Sequence, residues 1–266
     1  MQKELWIKTN KYEIPAILEI PEGKESAPCM ILCHGTASHK NEVGDMFLKL
    51  AKELSKNGIA SIRFDFAGCG DSRAAEQELT FFGEVEDTFV IYEYIRHLSQ
   101  INSEKIGILG FSQGARVMAE VLKKLTNLSC VVSWSGACHN GYGIYEKLFG
   151  AYEEEAKKHG YASVSMGWRA DLHLSKEWFE EIKASEPMKG FERYAGTLLV
   201  MAGKEDAVVE YQHSEEIYKQ SKHKDSKLIV YDQADHTLCA LDETSNIQNL
   251  VIKETVSWIR KEIQLG

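Results

Sequence analysis

The chain has 266 residues, of which 44% are hydrophobic and 27% are charged, and its formal net charge at pH 7 is −9. These proportions are typical of a globular protein and exclude the disordered, fibrous and membrane-embedded classes. No block of basic residues supplies the cationic surface that phosphate backbones require, so no nucleic-acid partner is expected.

The first ten residues carry charges where a secretion signal needs an apolar run, and no stretch of about 18 apolar residues occurs. We therefore expect a cytoplasmic protein without membrane association. Cys29, Cys33 and Cys130 lie in apolar runs, which predicts buried free thiols. Cys29 and Cys33 have no second cysteine pair and no histidine at ligand spacing, so a metal site is not expected.

Strands and helices alternate along the first half of the chain. In chain order we predict a strand at 28–34, a helix at 47–57, a strand at 59–66, a helix near 82–98, a strand at 105–109, a helix near 113–125 and a strand at 130–134. Parallel strands are joined by right-handed crossovers, so this alternation predicts an α/β fold: a mainly parallel central sheet with helices on both faces.

The alternation stops after Ser135 and returns at Thr197. A structureless loop of about sixty residues is unusual in a compact domain, so we predict an inserted lid subdomain at 136–195 in a core formed by 1–135 and 196–266. The elements predicted from the insertion onward are a helix at 145–158, a hairpin at 162–174 about Gly167, a helix at 176–183, a strand at 197–202, a helix near 214–220, a strand at 227–231 and a helix at 247–263.

A candidate nucleophile stands between a predicted strand and a predicted helix. Residues 110–114 read Gly-Phe-Ser-Gln-Gly and match the nucleophile-elbow pattern G-x-S-x-G. Gly110 and Gly114 let the chain turn sharply, which holds the Ser112 side chain above the sheet. The alternative is an ordinary strand-to-helix turn that happens to contain glycine. We predict that Ser112 is a catalytic nucleophile.

A serine hydroxyl needs a neighbouring base, and in this arrangement an acid and then a histidine follow along the chain. Asp206 comes just after the strand at 197–202, and His236 comes just after the last predicted strand. Both should lie at the carboxyl edge of the sheet, where such sheets place their ligands. Glu205 is a rival acid, and Asp206 could instead stabilise a turn. Asp235 is interpreted as a loop carboxylate beside the catalytic histidine.

The developing oxyanion should be held by two backbone amides, that of the residue after the nucleophile and one from an earlier loop. These amides belong to Gln113 and Thr36, although Thr36 could be only a loop residue. His34 is expected to position that loop rather than to transfer protons. His39 and His213 are expected to be solvated surface residues.

Three passages of the sequence carry a family resemblance. They are His34-Gly35-Thr36-Ala37, the run from Ile59 to Ser72, and Ser112-Gln113-Gly114. On these residues the chain resembles the bacterial cinnamoyl and feruloyl esterases of the α/β-hydrolase superfamily, over roughly 14–135 and 197–263. The resemblance implies the α/β-hydrolase fold with a lid at the insertion, covering a site for hydroxycinnamate-type or short acyl esters.

Three residues depart from the pattern of those esterases. Phe111 stands where they commonly have histidine, Ala115 where they often have a further glycine, and Thr36 where an aromatic residue is frequent. The resemblance therefore carries the catalytic roles better than it carries the choice of substrate.

The predicted function is hydrolysis of small carboxylic esters through an acyl-enzyme, with a Ser112–His236–Asp206 triad and no metal or organic cofactor. A serine aminopeptidase or acyl-peptide hydrolase is the alternative enzyme, because it uses the same triad. A non-catalytic ligand-binding protein of the same fold is the alternative of another class. The expected partner is a small-molecule ester, and an exposed apolar lid would favour a homodimer.

The insertion is rich in aromatic residues, which have two interpretations. They could line an apolar acyl pocket, or they could pack the insertion against the sheet. The residues concerned are Tyr142, Tyr145, Phe149, Tyr152, Tyr161, Trp168, Trp178 and Phe179.

Overall fold

A computed structural model describes residues 1–167 and 169–265, with side chains up to 263, and places eight strands in one sheet. In chain order the strands are β1 (Gln2–Lys8), β2 (Glu13–Glu19), β3 (Ala27–Cys33), β4 (Ala60–Phe64), β5 (Ile101–Phe111), β6 (Cys130–Trp134), β7 (Tyr161–Val164), β8 (Leu172–Ser175), β9 (Thr197–Gly203) and β10 (Lys227–Tyr231). Strands β7 and β8 form a separate two-stranded sheet. The sheet order is β1-β2-β4-β3-β5-β6-β9-β10. Strands β1, β2 and β4 pair antiparallel, and all the other neighbours in this sheet are parallel.

Helices cover both faces of this sheet. They are α1 (Met46–Lys56), α2 (Phe81–Arg96), α3 (Gln113–Leu122), α4 (Ile144–Phe149), α5 (Glu153–His159), α6 (Lys176–Ala184), α7 (Met188–Arg193), α8 (Gln212–Lys219) and α9 (Ile247–Leu265). The apolar residues of α1 and α9 pack on one face, and those of α2, α3, α7 and α8 pack on the other. The predicted fold class, a mainly parallel sheet with helices on both faces, is confirmed.

Three strands of the sheet are buried along their whole length. Every residue of β4, β6 and β9 is buried, as continuous apolar runs in a doubly covered sheet should be. Cys29, Cys33 and Cys130 are buried free thiols, which confirms that prediction. Burial raises the pKa of all three thiols, so they stay protonated and behave as small apolar side chains.

The N-terminal hairpin of β1 and β2 was not predicted, since no strand was expected before residue 28. Strand β1 lies at the edge of the sheet and most of its side chains are at least partly exposed, with Trp6 41% exposed. Pro15 lies within β2, and proline in a run usually argues against a strand. The edge strand β1 therefore shows little of the apolar periodicity that identifies strands, while β2 is mostly buried and was missed because of its proline.

The insertion contains more breaks than the sequence analysis predicted. The single helix predicted at 145–158 is wrong, because α4 ends at Phe149 and a 3-10 turn at Gly150–Tyr152 separates it from α5. The backbone leaves helical geometry at Phe149, which has φ −128° and ψ −5° and precedes Gly150, a poor helix former. Helix α7 was not predicted at all.

The predicted hairpin at 162–174 corresponds to β7 and β8, which pair antiparallel. Trp168, in the connection between them, lies outside the described residues. The division into a core and a lid subdomain stays a prediction.

Four of the insertion's aromatic residues form one buried cluster. Tyr145, Phe149, Trp178 and Phe179 are each at most 7% exposed, and neighbouring ring centroids lie 5.2–6.0 Å apart. They join the apolar core on the α2 and α3 side of the sheet. These four residues therefore pack the insertion against the sheet, the second of the two interpretations given above.

Helix α7 should be sensitive to any side chain at Gly190. A Cβ atom there would lie 1.7 Å from the Ala119 carbonyl oxygen of α3, so Gly190→Ala must push the two helices apart. We expect a loss of about 2–3 kcal/mol in the free energy of unfolding, measured by urea denaturation. At Gly150 the nearest atom would be 3.6 Å away and the backbone is helical, so Gly150→Ala is the matched control. Equal stabilities for the two variants would contradict this packing.

Candidate active site

Ser112 occupies a strained turn between β5 and α3. Its backbone has φ 52° and ψ −116°, a conformation that L-residues rarely adopt. A Cβ atom at Gly110 would lie 2.4 Å from the Gly114 carbonyl oxygen, and one at Gly114 would lie 2.0 Å from that of Cys33. Only glycine fits at either position, which is the physical reason for the G-x-S-x-G pattern. The Ser112 N–H donates to Trp134 O at 2.9 Å, which ties the turn to β6.

The structure brings Ser112, His236 and Asp206 together in one hydrogen-bonded chain. His236 Nε2 lies 3.0 Å from Ser112 Oγ, and His236 Nδ1 lies 2.8 Å from Asp206 Oδ2. The Asp206 side chain is fully buried, and that of His236 is 15% exposed. With Nδ1–H donating to Asp206, Nε2 is left free to accept the serine proton, which is the geometry a general base requires.

Asp206 contacts the imidazole, whereas the two rival acids do not. Its other carboxylate oxygen, Oδ1, accepts hydrogen bonds from two backbone N–H groups further along its loop, at 2.8 and 2.7 Å. Glu205 is exposed. Asp235 Oδ1 accepts from the Thr237 hydroxyl at 2.8 Å and from Cys239 N at 2.9 Å, so it stabilises its own loop. This contact agrees with the interpretation of Asp235 as a loop carboxylate.

The acid and the histidine meet because β9 and β10 are neighbouring parallel strands. The last residues of the two strands, Gly203 and Tyr231, are partners in the register. The two following loops then touch: Glu205 N donates to Ala234 O at 2.9 Å. A Cβ at Gly203 would lie 2.2 Å from the same Ala234 oxygen, so this approach also requires glycine.

Two backbone amides are available beside the nucleophile. Gln113 begins α3, so its N–H lacks an intrahelical acceptor. Thr36 lies in the loop after β3, and a Cβ atom at neighbouring Gly35 would be 3.4 Å from Ser112 Cβ. Within the described part of the chain, neither the Thr36 nor the Gln113 N–H has a hydrogen-bond acceptor. The pair can thus receive the oxyanion of an acyl-transfer intermediate.

Two buried side chains hold the loop that carries Thr36. His34 Nδ1 donates to Gly35 O at 2.8 Å, and its Nε2 accepts from Phe66 N at 3.2 Å, as expected for a residue that positions the loop. Burial lowers the pKa of His34, which favours the neutral ring that this pattern requires. Glu42 Oε2 accepts from Gly35 N at 2.7 Å. Glu42 was missed by sequence reasoning because nothing in its neighbourhood forms a motif.

A second chain of hydrogen bonds links the residues of the two amides. The Thr36 hydroxyl donates to Gln113 Oε1 at 2.9 Å, and Gln113 Nε2 donates to Glu84 Oε2 on α2. Gln113 and Glu84 are both buried, and burial raises the pKa of Glu84 well above its ordinary range. Sequence reasoning missed Glu84. The available signal was a carboxylate on the apolar face of a predicted helix, between Phe81 and Val85.

The inserted segment reaches the loop after β3 through Arg169. Arg169 Nη1 donates to Ala37 O at 3.1 Å, and the guanidinium also pairs with Glu76. Glu76 Oε2 in turn accepts from the backbone N–H of His173 on β8 at 3.0 Å. The hairpin of β7 and β8 is therefore fixed beside Thr36.

The expectation that His213 is a solvated surface residue is wrong. Its ring stacks on that of His139, with 3.9 Å between the ring centroids, and burial lowers its pKa. His139 Nε2 lies 2.6 Å from Glu216 Oε2. The second histidine of that expectation, His39, is exposed as predicted.

Comparison with known sequences assigns the family. The sequence profile of the prolyl oligopeptidase family matches residues 82–266, which is more than half of the chain and includes Ser112, Asp206 and His236. The chain belongs to the prolyl oligopeptidase family. Membership of the prolyl oligopeptidase family, together with the fold, confirms the prediction that the chain belongs to the α/β-hydrolase superfamily.

Individual relatives of this member of the prolyl oligopeptidase family are distant. It is 28% identical over 120 residues to an uncharacterised 31.7 kDa Escherichia coli protein in the traX-finO intergenic region, matching 45% of this chain and 41% of that protein. It is 25% identical over 203 residues to the lysophosphatidylserine lipase ABHD12 of Danio rerio, matching 73% of this chain and 47% of the lipase. The chain therefore spans about half the length of the curated relatives it matches.

A solved structure shares the fold over nearly its whole length. Est1E from Butyrivibrio proteoclasticus with ferulic acid bound superposes with a TM-score of 0.79 at 18% identity, covering 98% of this chain and 99% of that one. At this identity the likeness shows the fold alone. It confirms the α/β-hydrolase fold that the resemblance of the sequence implied.

Over residues 1–167 and 169–265, no group of three or more His, Cys, Asp or Glu side chains is arranged to hold a metal ion. In the same part of the chain, no helix combines the length and apolarity needed to cross a bilayer.

Substitution of each of the three acids near His236 should lower kcat to a very different extent. Asp206→Asn removes the charge that orients His236 and stabilises its cation, so we expect kcat for an ester substrate to fall by about 10³-fold or more. Glu205→Gln and Asp235→Asn should change kcat by less than about threefold, because neither side chain contacts the ring. Steady-state kinetics of the three purified variants test this expectation. A large loss in Glu205→Gln would move the acid by one position.

Proposed function

We propose that this protein hydrolyses small carboxylic esters, with Ser112 as nucleophile, His236 as general base and Asp206 as the acid that orients it. The observation that carries the proposal is the continuous chain Ser112 Oγ···His236 Nε2 at 3.0 Å and His236 Nδ1···Asp206 Oδ2 at 2.8 Å. A chain of these three groups beside two free amides combines every element of acyl-transfer catalysis. A binding protein of this fold would require neither the base nor the acid.

Acylation begins when His236 Nε2 takes the Ser112 hydroxyl proton as Oγ bonds to the ester carbonyl carbon. The carbonyl π electrons move to oxygen, and the Thr36 and Gln113 amides donate to the resulting oxyanion. Collapse of this tetrahedral species breaks the bond to the leaving alkoxide, which receives the proton from His236. The products of this half-reaction are an alcohol and an acyl-Ser112 ester.

Deacylation repeats the same steps with water as the nucleophile. His236 Nε2 accepts one proton from water as its oxygen bonds to the acyl carbon, and the same two amides hold the second oxyanion. Ser112 then leaves with the proton returned by His236, and the carboxylic acid is released. Asp206 stays ionised throughout and stabilises the imidazolium in both half-reactions.

For the substrate we propose hydroxycinnamate-type or short acyl esters. The resemblance of three sequence passages to cinnamoyl and feruloyl esterases supports this class, and so does the fold shared with Est1E, whose structure holds ferulic acid. The insertion contributes as well, since Arg169 fixes its hairpin beside the loop of Thr36. Phe111 adds an apolar wall at the histidine, with ring centroids 5.2 Å apart. The proposal keeps the cytoplasmic location expected from the sequence.

Amide hydrolysis is a second candidate, because the chain belongs to the prolyl oligopeptidase family. The same triad can attack an amide, but an amide nitrogen is a much poorer leaving group than an alkoxide, so it must receive its proton from His236 as the C–N bond breaks. Relative turnover of matched ester and anilide substrates separates the two candidates.

The decisive measurement is hydrolysis of a substrate panel by the wild type and by Ser112→Ala. We expect turnover of p-nitrophenyl butyrate and methyl ferulate, slower turnover of aminoacyl p-nitroanilides, and a loss of about 10⁴-fold or more in Ser112→Ala. His236→Ala should be about as damaging, and the double variant should lose little more, because the two residues act as a unit.

The panel also distinguishes the alternatives. Faster cleavage of the anilides would favour a peptidase, and Ser112-dependent cleavage of butyrate without ferulate would indicate a general carboxylesterase. If no substrate turns over and a fluorophosphonate probe fails to label Ser112, the protein is a binding protein rather than a hydrolase.

A further inference from the structure

The side chain of Gln113 connects the two sides of the oxyanion site. Its Oε1 accepts from the Thr36 hydroxyl at 2.9 Å, while its own backbone N–H begins α3 beside the nucleophile. Thr36 and Gln113 are 77 residues apart in the sequence, so the spacing of their amides depends on tertiary contacts, among which is this hydrogen bond. The amide of the Gln113 side chain can rotate, and it holds Thr36 only if its nitrogen is also held.

Glu84 holds that nitrogen. Gln113 Nε2 donates to Glu84 Oε2, and the backbone N–H of Glu84 donates to Thr80 O at 3.1 Å in the first turn of α2. The carboxyl group is therefore anchored to a helix that packs against α3. A chain of hydrogen bonds thus runs from Glu84 on α2 through Gln113 to Thr36 in the loop after β3.

Packing and stability do not explain a carboxyl group at this position. Glu84 is 1% exposed, and within the described residues its Oε1 has no hydrogen-bond partner. A buried polar atom without a partner destabilises a fold, and an apolar side chain would normally be preferred there. The acceptor that Glu84 offers to Gln113 is what distinguishes it from an apolar residue.

We propose that Glu84 is a positioning residue, which sets the spacing of the Thr36 and Gln113 amides by orienting the Gln113 side chain. This role rests on the proposed ester hydrolysis, in which the two amides stabilise the oxyanion. Such stabilisation acts on the transition state and not on the bound substrate, so Glu84 contributes to kcat rather than to KM.

The test compares variants at Glu84 and Thr36, the two ends of this hydrogen-bond chain, with p-nitrophenyl butyrate as substrate. Glu84→Leu removes the acceptor at similar size, and kcat should fall by about 10- to 100-fold with KM changed by less than about threefold. Glu84→Gln keeps an acceptor oxygen, and burial already favours a neutral group at this position, so kcat should stay within about threefold of wild type.

Thr36→Val removes the hydroxyl that donates to Gln113 and keeps the Thr36 backbone amide. Its kcat should fall by about tenfold, and the double variant with Glu84→Leu should lose little more than Glu84→Leu alone, because both changes break one chain. Thr36 is only half-buried, so this variant tests the proposal even if Glu84→Leu fails to fold.

Asp87→Asn is the matched control. Asp87 is another buried carboxylate on α2, but it accepts from the Tyr12 hydroxyl at 2.7 Å and from Ala67 N at 3.3 Å, away from Gln113. Its substitution should change stability without changing kcat of the folded enzyme, and thermal unfolding of every variant measures the stability.

A trifluoromethyl ketone gives a readout that a purely structural role would not change. Ser112 Oγ adds to the ketone carbon, the carbonyl oxygen becomes the oxyanion, and the serine proton moves to His236 Nε2. Affinity for this analogue should fall in Glu84→Leu and Thr36→Val by the same factor as kcat/KM, while inhibition by butyrate should not change.

Each of these measurements either supports or overturns the positioning role of Glu84. Unchanged kcat in Glu84→Leu, an equal loss in Glu84→Gln, multiplying losses in the double variant, or unchanged ketone affinity would each overturn the positioning role alone. A wild type that neither hydrolyses esters nor reacts with a fluorophosphonate would instead overturn the proposed function, and the positioning role with it.

Discussion

The site depends on one close approach of backbone to backbone. The first turn of α3 lies against the end of β3 so tightly that a Cβ at Gly114 would be 2.0 Å from Cys33 O and 2.5 Å from His34 O. This contact places the start of α3 beside the loop after β3, and so sets the Gln113 amide near that of Thr36. It also forces Ser112 into a strained conformation, which the hydrogen bond from Ser112 N to Trp134 O of β6 helps to maintain.

The histidine and the acid reach the same point because each follows one of two neighbouring parallel strands. Strands β9 and β10 end in register at Gly203 and Tyr231, so the two loops that follow leave the sheet at the same edge. The short distances of His236 to Ser112 and to Asp206 then join groups that are 124 and 30 residues apart. Short loops on rigid strands hold such groups more accurately than long loops can.

The residues that could be predicted from the sequence have local signals, and the others do not. Ser112 lies in a five-residue motif with two glycines at fixed spacing, and strands β6 and β9 are mainly apolar runs. Glu84 and Glu42 are recognisable only through their partners, since Glu84 meets Gln113 29 residues away and Glu42 reaches back to Gly35. The β1–β2 hairpin was missed for another reason: an edge strand is half-solvated and loses its apolar pattern.

The buried carboxyl group of Glu84, beside the oxyanion site, serves the geometry of the site at a cost in stability. Replacing a buried polar pair by apolar residues of similar size is often neutral or stabilising, whereas removing one partner leaves the other unsatisfied. Glu84 and Gln113 are such a pair, and Gln113 cannot become apolar without releasing the Thr36 hydroxyl. The carboxyl group is therefore tied to the loop after β3 through Gln113, and a more stable apolar core would leave that loop without its connection to α2. Departures from good core packing of this kind are expected where a fold carries out chemistry.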